Sequence, residues 1–153
     1  MRQLLLSLTF VCCGNINAQT LLIIEIMQSN IDCVMDDLNE FPDSWVELYN
    51  PTSSTISLYG YKIGIKDKAS KAWELPNKTI EPNEFILIYC DKEGSDMHTD
   101  FRLESGKGCN VYLFKGDEIV DQIVDLKKQP APNIAYGRKK DGADEWGYQA
   151  TPT

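Results

Sequence analysis

The run Trp45–Pro51, with the sequence Trp-Val-Glu-Leu-Tyr-Asn-Pro, constrains the fold more than any other feature of the chain. Its first five residues alternate Trp, Glu and Tyr with Val and Leu, which is the two-residue period of a β-strand. Pro51 cannot donate to a strand ladder, so Asn50-Pro51 predicts the end of that strand. A second extended segment, Leu58–Tyr61, follows closely. Short strands separated by sharp turns predict a small antiparallel β domain.

The rest of the chain repeats this pattern of short apolar runs between turn residues. We predict further strands over residues 21–27, 56–65, 73–75, 85–90, 101–103, 110–114, 118–124, 134–139 and 145–148. Lys115–Asp117 and Asp141-Gly142 predict hairpin turns, because glycine tolerates positive φ. The longest connection, residues 28–44, is polar and acidic, and we predict a short helical turn in it around Val34–Leu38. Turns at this spacing predict an all-β sandwich or barrel.

Residues 1–18 have the pattern of a secretory signal peptide. Arg2 precedes an apolar run that ends near Cys13, and a polar stretch leads to a predicted cleavage after Ala18. The run holds about ten apolar residues, whereas a membrane span needs roughly 20. Lipid attachment at Cys12 or Cys13 is the alternative. We therefore expect an exported protein that is secreted, periplasmic or on the cell surface, with no transmembrane segment in the mature chain.

Residues 19–150 have the length of one domain with its own core. The polar, proline-marked residues 151–153 predict the start of a linker or a chain end, and we expect a longer parent protein. After signal cleavage the cysteines are Cys33, Cys90 and Cys109. Their odd number leaves open one disulfide plus one free thiol, without fixing the pairing. Cys90 lies in an apolar run, which predicts a small buried hydrophobic residue.

The charge balance argues against a nucleic-acid partner. The chain has 15 Lys and Arg against 23 Asp and Glu, a net charge of −8 at pH 7. Neutralising phosphates requires a surplus of Lys and Arg. Basic residues do lie among aromatic ones, and the rings of Tyr59, Tyr61, Trp73 and Tyr136 could stack on bases. The acidic total and the predicted export oppose that function.

Several short segments occur in an order that is specific when they are taken together. They are Ile24–Ile26 with Ser29-Asn30, Trp45–Pro51, Leu58–Tyr61, Trp73–Pro76 with Ile80 and Pro82, Phe101–Leu103, Gly108, Val111–Leu113 and Val120-Asp121. In this order they resemble the lamin tail domain, a module of nuclear lamins that also occurs in bacterial secreted proteins. The resemblance implies an immunoglobulin-like antiparallel β-sandwich used for interaction. In bacteria such modules accompany hydrolase, nuclease or adhesive domains, and fold alone does not determine function.

Catalytic machinery is not indicated by the residues themselves. His98 is the single histidine and lies in a polar loop between Asp96 and Asp100. The chain contains neither a G-x-S-x-G nucleophile elbow nor an H-E-x-x-H motif. We therefore expect His98 to be a solvated loop residue and the protein not to be an enzyme.

The acidic loops raise the question of a metal ion. Asp91, Glu93, Asp96 and Asp100 crowd one loop, and carboxylates at alternating positions can surround calcium. Their spacing does not match that of an EF-hand. A second acidic set lies within residues 32–43. We expect hydrated loops without a cofactor, with calcium at these carboxylates as the alternative.

Exposed aromatic side chains are the strongest binding candidates. We select Trp146 and Tyr148, which flank a predicted turn, together with Tyr59 and Tyr61. The sequence predicts a non-catalytic interaction or spacer module that binds a protein partner or positions a neighbouring domain. One alternative is a carbohydrate-binding module, because flat rings stack on sugar faces. The other is an accessory domain of a secreted hydrolase or nuclease.

Overall fold

The computed structural model describes residues 20–152, and the predicted signal peptide lies outside the described residues. This part of the chain forms strands and one short 3-10 turn at Ala69–Lys71, without an α-helix. The strands are β1 (Leu22–Met27), β2 (Trp45–Tyr49), β3 (Ile56–Ser57), β4 (Tyr61–Gly64), β5 (Trp73–Glu74), β6 (Thr79–Ile80), β7 (Phe85–Tyr89), β8 (Cys109–Lys115), β9 (Glu118–Leu126), β10 (Ala135–Arg138) and β11 (Trp146–Gln149). The all-β prediction is confirmed.

Two antiparallel sheets pack into a sandwich. The first sheet has the strand order β11-β10-β1-β2-β7, and the second has the order β5-β4-β8-β9. Strands β3 and β6 form a separate two-stranded ladder. Fully buried residues of both sheets, such as Val46, Leu48, Ile63 and Leu113, belong to one continuous hydrophobic core. The architecture is an immunoglobulin-like antiparallel β-sandwich, as predicted.

Both predicted hairpins are present. Strand β8 pairs with β9 across a turn in which Gly116 has a φ of +62°, a conformation that other residues adopt only with strain. Strand β10 pairs with β11, with Tyr136 opposite Tyr148 and Arg138 opposite Trp146. Both hairpins therefore form around the predicted glycine turns, since Gly142 between β10 and β11 likewise has a positive φ.

Two local predictions are wrong because side chains replace regular backbone pairing. The expected helical turn around Val34–Leu38 is absent, since the Asp36 carboxylate accepts the backbone N–H groups of Leu38 and Glu40 and folds the chain into a polar turn. The expected edge strand at Phe101–Leu103 is reduced to a single bridge between Asp91 and Arg102.

A buried ion pair joins the two sheets where β1 stops pairing with β10. That pairing covers only Glu25 and Ile26. Beyond it, the Ile23 N–H donates to Asp121 Oδ2 of β9 at 2.7 Å, and Arg138 Nε of β10 donates to the Ile23 carbonyl at 2.8 Å. Arg138 Nη2 also lies 3.1 Å from Asp121 Oδ2, and the two side chains are 7% and 14% exposed. The pair therefore satisfies backbone groups that would otherwise lack a strand neighbour.

Two glutamines guide the chain from the second sheet back to the first. The Gln28 N–H donates to Gln129 Oε1 at 2.7 Å, and the Gln129 N–H donates to Gln28 Oε1 at 2.8 Å. Both residues are buried. This reciprocal pairing holds the connection after β9 against the end of β1, which places β10 beside β1.

Removing the charge of Asp121 tests the ion pair. Asp121→Asn leaves the buried Arg138 guanidinium with only the exposed Asp144 carboxylate, 3.4 Å away, as a charged partner, so we expect a loss of about 3–5 kcal/mol in the free energy of unfolding. Urea unfolding followed by tryptophan fluorescence measures it. The control is Glu145→Gln, which breaks the exposed pair with Lys139 and should cost less than about 1 kcal/mol. Equal losses in the two variants would contradict this role of Asp121.

Gly108 allows a close approach of two backbone segments. A Cβ at this position would lie 2.2 Å from the Leu126 carbonyl oxygen, whereas a Cβ at Gly106 would meet no atom within 4 Å. We expect Gly108→Ala to destabilise the fold by about 2–3 kcal/mol and Gly106→Ala to change little. Thermal unfolding of both variants measures this difference, and a neutral Gly108→Ala variant would show that the close approach is not needed.

Candidate functional site

One edge of the sandwich leaves aromatic rings without a covering strand. Strand β9 is the last strand of the second sheet and contacts β1, whereas the first sheet continues past β1 to β10 and β11. Beyond β9 the side chains of Tyr136, Trp146 and Tyr148 line a cleft of about 460 Å³ together with residues 122–127 of β9 and its end. We call these three rings the aromatic ledge. The cleft has the size of a typical binding site.

The rings of the aromatic ledge hold one another in place. Tyr136 stacks on Trp146 with centroids 5.6 Å apart and an interplanar angle of 17°, and it meets Tyr148 at 5.0 Å and 60°. The Arg138 guanidinium lies 4.8 Å from the Trp146 ring centroid, a cation–π contact. Tyr148 is 47% exposed. The ledge is therefore a fixed surface with one ring open to solvent.

The edge of β9 beside the ledge is poorly suited to pairing with a strand from another protein. Its register with β8 shifts twice, between Cys109 and Val111 and between Leu113 and Phe114. Such bulges twist an edge strand and end its pairing. The strand also carries carboxylates, which oppose edge-to-edge association. The cleft consequently suits the side chains of a ligand better than an added strand.

The structure separates the four predicted binding residues. Trp146 and Tyr148 lie together in the ledge, but Tyr59 is 73% exposed at the turn before β4, away from them. Tyr61 is 3% exposed, and its ring packs under Lys115 Nζ at 4.0 Å. The prediction missed that Tyr136 joins the ledge. The hairpin register could have revealed it, since Tyr136 faces Tyr148 across the Asp141-Gly142 turn.

The expectation that His98 is a solvated loop residue is wrong. The residue is 6% exposed, and its ring lies 4.9 Å from the Tyr89 ring. His98 Nδ1 and Asp91 Oδ2 are 2.5 Å apart, and Glu93 Oε2 lies 3.8 Å from the same nitrogen. The loop folds back on β7 and buries the histidine against a carboxylate, so His98 holds the loop in place.

Asp36, from the second acidic set within residues 32–43, lies beside His98 and Asp91. Potential ligand atoms of Asp36, Asp91 and His98 lie within 4.8 Å of one another, so the three residues could hold a metal ion. Of the four predicted metal candidates, only Asp91 belongs to the group. Asp96 is instead paired with Lys78 at 2.7 Å.

The two remaining metal candidates also lie apart from that group. Glu93 reaches only the edge of the cluster, and Asp100 is exposed in the loop. The four carboxylates therefore do not converge on one point. The expectation of a hydrated loop without a cofactor, with calcium at these carboxylates as the alternative, stays a prediction.

The residues around His98 do not form a nucleophile–base pair. Among the described residues, no hydroxyl or thiol forms a hydrogen bond with the His98 ring. The His98 side chain is only 7% exposed. Burial raises the pKa of the nearby Cys90 thiol, which favours the unreactive thiol over the thiolate. Cys90 is fully buried, as predicted, and Cys33, Cys90 and Cys109 are all free thiols. The disulfide left open by the sequence is thus not formed in this structure.

Fold and comparison together identify the class of the protein. The domain is an immunoglobulin-like β-sandwich with an uncovered aromatic surface at one edge. The family model of the lamin tail domain matches residues 16–126, well over half of the chain, and the chain therefore belongs to the lamin tail domain family. This is a family of non-catalytic immunoglobulin-like domains. The hairpin of β10 and β11, which carries the aromatic ledge, follows the matched residues.

Two further observations bear on this assignment. The searches of the curated proteins and of the solved structures gave no match to the chain. Within residues 20–152, no helix has the length and apolar character needed to cross a membrane.

The His98 cluster should make stability depend on pH. Burial lowers the pKa of His98. The hydrogen bond and charge of Asp91, together with the charges of Glu93 and Asp36, raise the pKa by more than burial lowers it, so the pKa lies above 6.5. Protonated His98 then stabilises the fold at and below about pH 6.5, and this contribution is lost as the pH rises through the raised pKa.

We expect the difference in unfolding free energy between the wild type and His98→Gln to be larger near about pH 5.5 than near about pH 8.5. Urea unfolding of both proteins at the two pH values measures it, and the subtraction removes the effect of the other carboxylates. A difference that is constant, or that grows towards high pH, would contradict a charged His98 in this cluster.

Proposed function

We propose that this chain is a non-catalytic interaction module of an exported protein and that it binds a protein partner at the aromatic ledge. The observation that supports this most is that Tyr136, Trp146 and Tyr148 line an open cleft, in which Tyr136 and Trp146 pack against the core on one side and Tyr148 is 47% exposed. Aromatic side chains in a surface cleft are the residues that most often anchor protein contacts. Export is supported by the sequence pattern of residues 1–18.

The ring geometry favours apolar side chains of a protein over a sugar. A carbohydrate site needs free, roughly coplanar ring faces, whereas Tyr136 and Tyr148 are tilted by 60°. The contacts of Trp146 with Tyr136 and with the Arg138 guanidinium both use indole face that a sugar would need. Apolar side chains can fill an angular cleft between such rings, since hydrophobic contact is not directional.

The partner can be a separate protein or a neighbouring domain of the same polypeptide. Both present side chains to the cleft, and both would bury the exposed Tyr148 ring. A spacer role is included here, because a domain that packs on the ledge is held in a fixed orientation by this module.

A displayed random-peptide library selected against the domain tests this proposal. We expect selected peptides rich in aliphatic and aromatic residues, with binding weakened at least about tenfold by Tyr148→Ala. The matched control is Tyr59→Ala, which removes a still more exposed ring outside the cleft and should leave binding unchanged. Circular dichroism of both variants verifies that they are folded.

A parallel polysaccharide panel distinguishes the alternative ligand. Two results together would overturn the proposal in favour of a carbohydrate-binding module. The wild type would bind a polysaccharide saturably and Tyr148→Ala would not, while peptide binding would be unchanged in Tyr148→Ala. Equal loss of peptide binding in Tyr59→Ala and Tyr148→Ala would also contradict a binding site at the aromatic ledge.

A further inference from the structure

The connection between β1 and β2, which we call the acidic loop (residues 28–44), exposes a group of large apolar side chains. Ile31, Met35, Leu38 and Phe41 are 59%, 49%, 60% and 42% exposed. These are four of the nine large hydrophobic residues that are exposed in residues 20–152. The sequence predicted a hydrated acidic loop here; all of its carboxylates except that of Asp36 are exposed, and the structure shows exposed apolar side chains among them. Four large exposed apolar side chains within the eleven residues 31–41 mark this loop as a candidate interaction site.

Buried polar side chains give the acidic loop its shape. Asn30 is 6% exposed, and its Nδ2 donates to the carbonyls of Val34 and Pro42, both at 2.8 Å. Its Oδ1 accepts the N–H groups of Cys33 and Val34 at 3.2 and 3.0 Å. These bonds close the loop across its base without using the large apolar side chains. The apolar residues are therefore presented outward on a fixed frame rather than consumed in folding the loop.

The buried carboxylate of Asp36 shapes the middle of the loop. It accepts the N–H groups of Leu38 and Glu40 at 2.8 and 2.9 Å. This turn places Leu38 at its tip with the side chain in solvent. A loop held by its own hydrogen bonds loses little conformational entropy when a partner binds.

The charge of the acidic loop has a single sign. Asp32, Asp37 and Glu40 are exposed among the apolar residues. No Lys or Arg occurs between Arg2 and Lys62, so the loop itself contains no positive charge. Asp43 near the end of the loop is paired with Arg102 at 2.7 Å, so the acidic charge beside the apolar residues is that of Asp32, Asp37 and Glu40. An apolar surface with carboxylates among its side chains is complementary to an apolar surface bordered by Lys and Arg.

We infer that the acidic loop docks into an apolar groove bordered by Lys and Arg on a partner protein. Anionic membrane surfaces would repel its carboxylates, so a lipid bilayer is not the occupant. The site is separate in sequence from the aromatic ledge and does not depend on it. The module would then carry two binding surfaces, one apolar and aromatic and the other apolar and acidic.

A pair of synthetic peptides serves as the probe. The first is an amphipathic helix with leucines on one face and lysines beside them, and the second replaces every lysine by glutamate. Fluorescence anisotropy with the whole protein should show saturable binding of the Leu–Lys peptide, and no binding of the Leu–Glu peptide. We expect Leu38→Ser combined with Phe41→Ser to weaken that binding at least about tenfold, because two apolar anchors are lost while the charge is kept.

The matched control is Tyr59→Ser combined with Ile119→Ser, which removes two exposed residues that lie outside both the acidic loop and the cleft of the aromatic ledge. This control should bind the Leu–Lys peptide as the wild type does. Equal weakening in both double variants, or weakening in the control variant alone, would overturn the inference. So would sedimentation equilibrium that shows a dimer abolished by the loop variant, because the occupant would then be a second copy of the chain. A Leu–Glu peptide that binds as tightly as Leu–Lys would likewise refute the charge complementarity.

Discussion

The structure depends on the way in which Asp121 and Arg138 complete the hydrogen bonding of Ile23. The backbone of β1 leaves its ladder with β10 after two residue pairs, and an unsatisfied N–H and C=O in the core would be costly. The Asp121 carboxylate of the second sheet accepts a hydrogen bond from the Ile23 N–H, and the Arg138 guanidinium of the first sheet donates one to the Ile23 C=O. Because the two charges also pair with each other, one small network both satisfies β1 and ties the sheets together.

This network also determines which surface of the sandwich is left without a covering strand. With β9 tied to β1, the second sheet ends there while the first continues to β10 and β11. The three rings of the aromatic ledge therefore face a cleft instead of another strand. Arg138 contributes twice, since the guanidinium that pairs with Asp121 also lies over Trp146. Stability at the sheet junction and the geometry of the proposed binding surface thus share one residue.

The strands could be predicted from the sequence because their signals are local. Alternating side chains predicted β2, and glycine turns predicted the hairpins that contain Tyr136, Trp146 and Tyr148. Contacts made by individual polar side chains were not accessible in the same way. The pairing of Asp121 with Arg138, the burial of His98 against β7 and the shape of the acidic loop around Asn30 each join segments whose spacing carries no periodic signal. The acidic loop was predicted to be hydrated from its carboxylates alone, because the sequence does not show which of its apolar residues are buried.

Amide hydrogen exchange of Ile23 in the wild-type protein tests the account most directly. Its N–H has no strand partner on the side of β10 and is protected only by the Asp121 carboxylate. If the ion pair closes this junction, the Ile23 amide exchanges as slowly as the ladder amides at the centre of β2, because both then open only on global unfolding. Exchange at the rate of an exposed loop amide would contradict the account, since the Asp121 carboxylate would then not protect the Ile23 N–H as a neighbouring strand would.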